Sequence, residues 1–215
     1  MLLSIDTSAG ASVAVVDAGR VLGLADEFDT RSHAEAIGRL IESALAQASA
    51  TPADITAVVA GMGPGPFTGL RVGIAAAHAF AAGRGIPTLP LASHDAVAWE
   101  RATPALIVTD ARRREVAWSA YAGLDADGLP VLTTGPHLAH PEDLETVVEG
   151  YVVLDRIDAA AISAASLGLV ADRMRELGRP FPIDRPLYLR APDVTLSAGP
   201  KSTAQKSPAQ KRGTG

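Results

Sequence analysis

A short apolar run, a loop of alternating glycine and proline, and a helical segment with almost no large side chains follow one another between residues 57 and 82. The loop, residues 61–66, has glycine at every second position, which permits positive φ and removes side chains from the corner, and its two prolines stiffen it. Thr68 is predicted to cap the helix. A backbone of this kind must approach another part of a structure very closely.

The helix predicted over residues 68–82 carries small residues at four-residue spacing, which leaves one face without bulk. These residues are Gly69, Gly73, Ala77 and Ala81. Another helix can lie against such a face at short range. Most other positions are also apolar, a pattern typical of a helix that is covered on two sides. We expect a sheet on one side and a second protein on the other.

The loop does not fit three common functions of glycine-rich segments. A Walker A loop ends in Gly-Lys-Ser/Thr, whereas this one continues as Phe-Thr-Gly. A dinucleotide-binding loop needs a third glycine where a proline stands here, and an acidic residue about 20 positions later, which residues 88–91 lack. A membrane-spanning helix needs about 20 apolar residues, and Arg71 and His78 interrupt the run before that.

The composition predicts a globular protein of the cytoplasm. Of the 215 residues, 47% are hydrophobic and the mean hydropathy is +0.18, which suffices for the core of one or two domains. The first residues show no charged segment followed by a long apolar one, so we expect neither export nor membrane insertion. The sequence has no cysteine, which excludes disulfides, thiol nucleophiles and thiolate metal sites.

The charge is unevenly distributed along the chain. The net charge is −5, but four cations lie beyond residue 196 without accompanying acids, so residues 1–196 carry −9. Because independent binding to nucleic acid needs a basic face, we expect another subunit to hold any RNA. Residues 194–215 are predicted to form a disordered basic tail, which is either simply solvated or in weak contact with RNA.

Hydrophobic periodicity divides the chain into two halves with the same order of elements, βββαβα. In the first half, strands are predicted at 2–5, 12–16, 21–25, 57–60 and 88–91, and helices over 68–82 and from Ser32, which forms a capping box with Glu35. In the second half, strands are predicted at 105–109, 116–121, 131–134 and 151–154, and helices over 141–148 and 159–177, the latter ended by Gly178.

An aspartate closes the first predicted strand of each half, at Asp6 and Asp110, so we predict an internal duplication. An α/β chain of two such units resembles the actin, Hsp70 and sugar-kinase (ASKHA) superfamily of ATPases, whose domains are ribonuclease H-like. In that superfamily two domains clamp a nucleotide, and the turns after these strands wrap its phosphates. The predicted domains here are residues 1–100 and 101–193, followed by the tail.

Five segments occur in the order that is found in one family: Ile5–Ser8, Arg31–His33, Gly63–Gly73, Asp110–Val116 and Leu187–Arg190. The chain resembles the TsaB family, also called YeaZ, over residues 1–193. The resemblance implies a role in the threonylcarbamoyl modification of the adenosine beside the tRNA anticodon. It also implies a chain that is no enzyme itself but supports the catalytic paralogue TsaD as a heterodimer, assisted by the ATPase TsaE. Alone, such a chain forms a homodimer, and tRNA is bound only through the complex.

The resemblance places the partner contact on two helices, those from Ser32 to Ala48 and from Thr68 to Ala82, which would form a four-helix contact with TsaD. An apolar patch on a soluble protein usually marks such an interface. The alternative is that both helices merely cover their own sheet, and the sequence leaves this open. The predicted interface comprises His33, Ile37, Leu40, Ile41, Ala44, Leu45, Phe67, Thr68, Gly69, Leu70, Arg71, Val72, Gly73, Ala76, Ala77 and Phe80.

The phosphate-binding turns of the superfamily are predicted to be degenerate here. Wrapping a phosphate needs small residues and free backbone N–H groups. Asp110 is followed by Ala111 and three arginines, without a glycine that would let the backbone close, although Arg112 can still attract phosphate. In the first turn, Asp6, Thr7 and Ser8, the aspartate either orients a cation or accepts turn N–H groups. We expect no cofactor bound by this chain alone, with ATP at the interface of the complex as an open alternative.

Histidines and carboxylates are present, but we assign no metal site and no catalytic residue. The catalytic paralogue has two histidines four residues apart that bind a metal, whereas here His94 is followed by Ala98 at that spacing. His137 and His140 are expected in a solvated turn. The carboxylates that stand near each other are Asp95 with Glu100 and Glu142 with Asp143, and the adjacent acids of the second pair, after Pro141, are what a helix N-terminus prefers.

Two other functions stay open at the level of sequence. One is an independent small-molecule kinase or ATPase, which the duplicated plan permits. The other is a peptidase that acts on the paralogue, although no set of nucleophile, base and orienting group is evident. Two departures from the family are a proline in place of serine at position 66 and a short link over residues 154–158. The short link indicates either a trimmed second domain or residues missing from the sequence.

Overall fold

A computed structural model describes residues 1–28 and 33–190, except for the side chains of residues 33–35. The first half of the chain forms a five-stranded sheet in the order β3-β2-β1-β4-β5. Strands β1, β2 and β3 pair antiparallel, while β4 and β5 continue parallel to β1. These strands are β1 (Leu2–Asp6), β2 (Ala11–Asp17), β3 (Arg20–Glu27), β4 (Ala57–Gly61) and β5 (Thr88–Leu91).

The second half repeats this topology in a four-stranded sheet of order β8-β7-β6-β9. Strand β6 pairs antiparallel with β7 and parallel with β9, as β1 does with β2 and β4. Each closing aspartate lies opposite the residue six positions on: Asp6 opposite Ser12, and Asp110 opposite Val116. The predicted duplication is therefore confirmed down to the hairpin register. The strands are β6 (Ala105–Asp110), β7 (Val116–Leu124), β8 (Pro130–Ala139) and β9 (Asp155–Asp158).

Helices cover both faces of the first sheet. Because side chains alternate along a strand, Leu3 and Ile5 of β1 pack on one side and Leu2 on the other. The first side carries α1 and α2, and the second carries α3 and α5, so β1 is buried throughout. The helices are α1 (His33–Gln47), α2 (Phe67–Arg84), α3 (Ser93–Ala98), α4 (Leu144–Val147) and α5 (Ala164–Glu176). Among the described residues, none of the helices has the length and apolar character that crossing a membrane requires.

Helix α5 follows the last strand of the second sheet but packs on the first one. Ser12 of β2 accepts a hydrogen bond from the Ala164 N–H at 2.9 Å. A Cβ at Gly168 would lie only 2.7 Å from a methyl group of Val16, so the helix and the strand are in very close contact. Helix α5, from the second half of the sequence, is thus part of the packing of the first sheet. The division into domains of residues 1–100 and 101–193 stays a prediction.

The strand predicted at 151–154 is wrong. Residues Tyr151–Val153 form a turn of 3₁₀ helix in which Val152 is 95% exposed, so this apolar run is not buried in a sheet. The strand is the next segment, Asp155–Asp158, which pairs with β6 at the edge of the sheet. The residues taken for a short link are therefore an element of the fold.

Three helix boundaries also differ from the prediction. Helix α2 starts at Phe67 with Pro66 as its N-cap, so Thr68 is not the cap. The helix expected from residue 159 begins at Ala164, because the Ser163 hydroxyl accepts the Ser166 N–H there. The helix predicted over 141–148 is a 3₁₀ turn followed by the short α4. The capping box at Ser32 and the tail 194–215 lie outside the described residues.

Candidate functional site

The glycines of the loop and of α2 make room for the turn between β1 and β2. A Cβ at Gly61 would overlap the Asp6 carboxylate, and one at Gly73 would overlap the Thr7 hydroxyl. A Cβ at Gly65 would lie 2.7 Å from the Ser8 carbonyl oxygen. The close approach predicted from the sequence is confirmed, and the part that approaches is a turn of the same chain.

Thr7 occupies the face of α2 on which we expected another helix. Its hydroxyl donates to the Gly69 carbonyl at 2.7 Å and accepts the Gly73 N–H at 3.0 Å. These are the two groups that a regular helix would join to each other, so the hydroxyl is inserted into the hydrogen-bond ladder. Gly69, Gly73 and Ala77 are buried, so this face packs within the chain, and the second protein expected on the other side of α2 stays a prediction.

Asp6 is fully engaged inside the fold. One carboxylate oxygen accepts the Ser8 N–H at 2.8 Å and the Ser8 hydroxyl at 2.5 Å, and the other accepts the Ser93 hydroxyl at 2.5 Å. Burial raises the pKa of Asp6, and these hydrogen bonds oppose that rise. Ser93 also accepts the Gly63 N–H at 3.0 Å. Of the two roles proposed for Asp6, the structure thus displays the acceptance of turn donors.

The second turn copies the first in its hydrogen bonding. Asp110 accepts the Arg112 N–H at 3.0 Å, as Asp6 accepts that of Ser8. Arg112, Arg113 and Arg114 have φ values of 64°, 57° and 63°, so all three adopt the left-handed conformation. This costs roughly 1–2 kcal/mol for each side-chain-bearing residue. The turn thus reaches positive φ without glycine, and its inability to close around a phosphate stays a prediction.

A distant segment holds the arginine turn in place. The Arg190 guanidinium donates to the carbonyls of Ala111 at 3.1 Å and Arg112 at 3.2 Å, and it pairs with the Glu115 carboxylate. A planar group with five donors can make these bonds at once. The turn therefore owes its strained backbone to contacts from outside it.

The two turns face each other across a cleft of about 390 Å³. The structure thus brings together four of the five residues predicted as degenerate phosphate positions, whereas Asp6 is buried and is not part of the lining. Two charged residues line the cleft as described, Asp110 and Arg112. Arg112 Nε lies 3.7 Å from an Asp110 oxygen, and both side chains are more than half exposed. The lining comprises Thr7, Ser8, Ala9, Gly10, Phe28, Pro66, Thr68, Gly69, Asp110, Arg112, Ala159 and Ala160.

His94 is a buried structural residue on α3. Its Nδ1 lies 2.8 Å from the Ser119 hydroxyl and its Nε2 lies 2.9 Å from the Thr109 hydroxyl. Burial lowers the pKa of His94 to about 3, so the ring is neutral. Of the two histidines that were expected in a solvated turn, His137 lies in β8 against the Trp118 ring and not in a turn, and His140 contacts the Arg114 carbonyl. Within the part of the chain that the structure describes, no three potential metal ligands are grouped.

Helix α3, which the sequence analysis did not predict, connects the two sheets through three consecutive side chains. Ser93 bonds Asp6 of the first sheet, and His94 bonds two strands of the second. Asp95 accepts the Tyr121 hydroxyl of β7 at 2.7 Å. Burial raises the pKa of Asp95 to about 6 and also raises that of Tyr121. The serine and aspartate in the first turn of a short segment were the only signal for it.

The predicted interface residues fall into three groups on α1 and α2. Those that are buried within the chain are Ile37, Ala44, Leu45, Gly69, Leu70, Gly73 and Ala77. Those that are partly exposed beside this core are Leu40, Ile41, Val72, Ala76 and Phe80, which we call the apolar ridge. Phe67, Thr68 and Arg71 are exposed. His33 lies where side chains are not described. The interface itself stays a prediction.

The doubled sheet with its two aspartate turns defines a protein of the ASKHA fold. The family model of TsaD, tRNA N6-adenosine threonylcarbamoyltransferase, matches residues 19–132. The YeaZ structure from Pseudomonas aeruginosa superposes with a TM-score of 0.73 and 26% identity, over 87% of this chain and 99% of that one.

Two relatives match almost the whole chain. An uncharacterised protein of Mycobacterium tuberculosis is 39% identical over 90% of this chain and 93% of its own length. The tRNA threonylcarbamoyladenosine biosynthesis protein TsaB of Escherichia coli is 30% identical over 92% of this chain and 81% of its own length. The chain belongs to the TsaB (YeaZ) family of tRNA threonylcarbamoyladenosine biosynthesis proteins.

Proposed function

We propose that this chain is a non-catalytic subunit that binds a TsaD-type partner and supports threonylcarbamoyl transfer to the tRNA adenosine beside the anticodon. The observation that carries the proposal is the closure of the first turn by its own chain. Ser8 and Ser93 occupy both oxygens of Asp6, and α2 occupies the Thr7 hydroxyl. Because the polar groups of this turn are already hydrogen-bonded within the chain, the turn stabilises the fold and offers few groups that could bind a substrate.

The cleft does not fit the nucleotide that the fold class implies. Asp6, the carboxylate suited to a cation, points into buried hydroxyls, and Asp110 lies beside Arg112. In our proposal the chain alone binds no nucleotide, and any ATP in the complex sits where the partner supplies the phosphate contacts. An ATP-hydrolysis assay of the purified chain tests this, since turnover would restore the kinase or ATPase alternative.

A peptidase role is disfavoured by the environment of the best nucleophile and base in the described chain. Ser119 lies 2.8 Å from His94, the spacing of an activated serine. Both residues are buried, at 1% and 0% exposure, and a peptide has no access to them. A histidine with a pKa of about 3 is also a poor base at neutral pH.

The apolar ridge is the proposed docking surface. Its side chains pack at their base on the core of the first sheet and remain partly exposed above it. Such a strip on two neighbouring helices suits another pair of amphipathic helices. In the proposal TsaD occupies it in the complex and a second copy occupies it when the chain is alone. TsaE acts on the assembled complex, which works in the cytoplasm, where tRNA reaches the chain through its partner.

Size-exclusion chromatography with light scattering tests the ridge, using the chain mixed with TsaD from the same organism. Ala79→Lys adds a charge to an exposed position beside the ridge, and Phe80→Lys replaces a ridge residue. Ala82→Lys, exposed on the same helix, is the control. We expect at least about tenfold weaker association for the first two variants, because a buried unpaired charge costs several kcal/mol. If all three variants bind TsaD as the wild type does, the docking surface is elsewhere.

A further inference from the structure

Three of the sequence segments that the proposed function does not use meet at a second cavity, of about 400 Å³. Residues 65–68 begin α2, residues 111–113 belong to the arginine turn, and residues 188–190 come from the end of the described chain. Ala117 and Leu138 add the floor. We call this cavity the arginine pocket. It adjoins the cleft between the turns, but its lining, as far as the described residues go, includes none of residues 6–10.

The pocket is a cationic site on an acidic protein. Arg112, Arg113 and Arg190 line it, whereas residues 1–196 together carry −9. Arg190 is committed to Glu115 and the turn. Within the described residues, the Arg112 guanidinium pairs with Asp110 alone, at 3.7 Å, with side chains 58% and 69% exposed. An exposed pair at this distance is weak, so Arg112 can exchange Asp110 for a phosphate that accepts two hydrogen bonds.

An aromatic pair stands at the same pocket. The rings of Phe67 and Tyr188 lie 4.8 Å apart, and each residue is more than a third exposed. The Arg71 guanidinium lies 4.2 Å from the centre of the Phe67 ring and supports it. Exposed aromatic faces beside arginines are the combination with which proteins hold single-stranded nucleic acid, by stacking a base and neutralising its phosphate.

The backbone around the pocket favours an anion as well. Helix α2 is 18 residues long, and its N-cap, Pro66, makes no side-chain bond to the first turn. The first N–H groups of such a helix carry partial positive charge. Two arginines that line the pocket, Arg112 and Arg113, stay in the left-handed conformation, where glycine would be free of cost. The backbone strain at these positions is offset if the arginine charge binds an anion in the pocket.

We propose that the arginine pocket binds a phosphate of the tRNA in the complex, with Arg112 and Arg113 on the phosphate and the Phe67–Tyr188 pair against a neighbouring base. This inference rests on the proposed function and extends it: the partner holds most of the RNA, and this chain contributes one local contact. A free nucleotide offers the same phosphate-and-base chemistry, and the experiment separates the two sources.

The test measures the affinity of the complex with TsaD for its unmodified tRNA by fluorescence anisotropy at several salt concentrations. The double variant Arg112→Gly/Arg113→Gly removes both charges at positions where glycine favours the existing backbone, so the fold should be at least as stable. Tyr188→Ala removes the stacking face. Arg20→Ala, an exposed arginine on β3 of the first sheet, is the matched control.

We expect the double variant to bind tRNA about tenfold more weakly at 0.1 M salt and to lower the salt slope of log K by about 1–2. Tyr188→Ala should weaken binding about fivefold or more without changing the slope, and Arg20→Ala should change neither. Unchanged tRNA affinity and slope in the double variant, with the complex intact and no AMP binding that depends on the two arginines, overturn the pocket assignment alone. AMP that binds the wild type and not the double variant, with tRNA affinity unchanged, overturns the RNA assignment in favour of a free nucleotide.

Failure of the proposed function gives a different result. If the wild type forms no complex with TsaD, the same titration is run on the chain alone. Binding of tRNA that needs Arg112 and Arg113 then still supports the pocket, and absence of binding overturns both proposals.

Discussion

Asp95→Asn should stabilise the protein, and increasingly so as the pH rises. Burial raises the pKa of Asp95 to about 6, from 3.8 in an unfolded chain. The folded state therefore retains a proton that the unfolded state loses, so the stability present below pH 3.8 falls until the pH passes about 6. Two pKa units correspond to about 3 kcal/mol. The variant keeps the shape of the side chain and removes the charge.

The size of the effect at each pH follows from these two pKa values. At pH 4.5 the variant should be more stable than the wild type by about 1 kcal/mol, and at pH 8 by about 3 kcal/mol. Asparagine can still bond the Tyr121 hydroxyl, which Asp95 accepts at 2.7 Å. His94 titrates at low pH in both proteins, so its contribution cancels in the comparison.

Urea denaturation of both proteins at the two pH values measures this difference. Asp155→Asn, at an exposed position of β9, is the control and should give the same small change at both. The reasoning would be refuted by an equal effect of Asp95→Asn at pH 4.5 and pH 8, or by a variant less stable than the wild type at pH 8. Either result would mean that the folded protein satisfies the charge of Asp95.

Two further substitutions test the contacts of the turns. Gly73→Ala should destabilise the protein by roughly 1–3 kcal/mol, because its Cβ overlaps the Thr7 hydroxyl. The control is Gly83→Ala, on the same helix with open space around it, which should stabilise the protein by about 1 kcal/mol. Equal effects of the two substitutions in chemical denaturation would contradict the inserted Thr7 hydroxyl. Arg190→Lys should cost about 1–2 kcal/mol and speed hydrogen exchange at the Glu115 amide, since an ammonium group cannot hold two carbonyls and a carboxylate in one plane. Unchanged exchange there would show that the turn keeps its conformation without Arg190.

The sequence predicts most of the fold because most strands are apolar runs between turn residues. The prediction fails where a segment becomes a strand through backbone hydrogen bonds and not through burial of its side chains. Strand β9 reads Asp-Arg-Ile-Asp, and only Ile157 is partly buried, so its pattern resembles a loop. The preceding valines resemble a strand, yet Val152 and Val153 are exposed. Residues 155–158 form a strand because they pair with β6 at the edge of the sheet, and their side chains give no sign of this pairing.

The candidate site was predictable in its residues but not in its contacts. A row of small residues on α2 predicts that another part of the structure packs closely against the helix, but the sequence does not show which part. The neighbour is Thr7, 66 positions away from Gly73 in the chain. Likewise, nothing in the sequence joins Arg190 to a turn 75 or more positions earlier. Helix α3 is six residues long, too short for helical periodicity to be recognised.

The connection through α3 supports the scaffold role that we propose for this ATPase-like plan. Opening the cleft between the two turns requires the sheets to move apart. Ser93 would then leave Asp6, or His94 and Asp95 would leave the second sheet. Each buried bond that is broken without a new partner costs about 1–3 kcal/mol, so either way of opening the cleft is unfavourable. The side chains that close the turns therefore also hold the two halves in one arrangement, as the proposal of a subunit that presents a fixed surface requires.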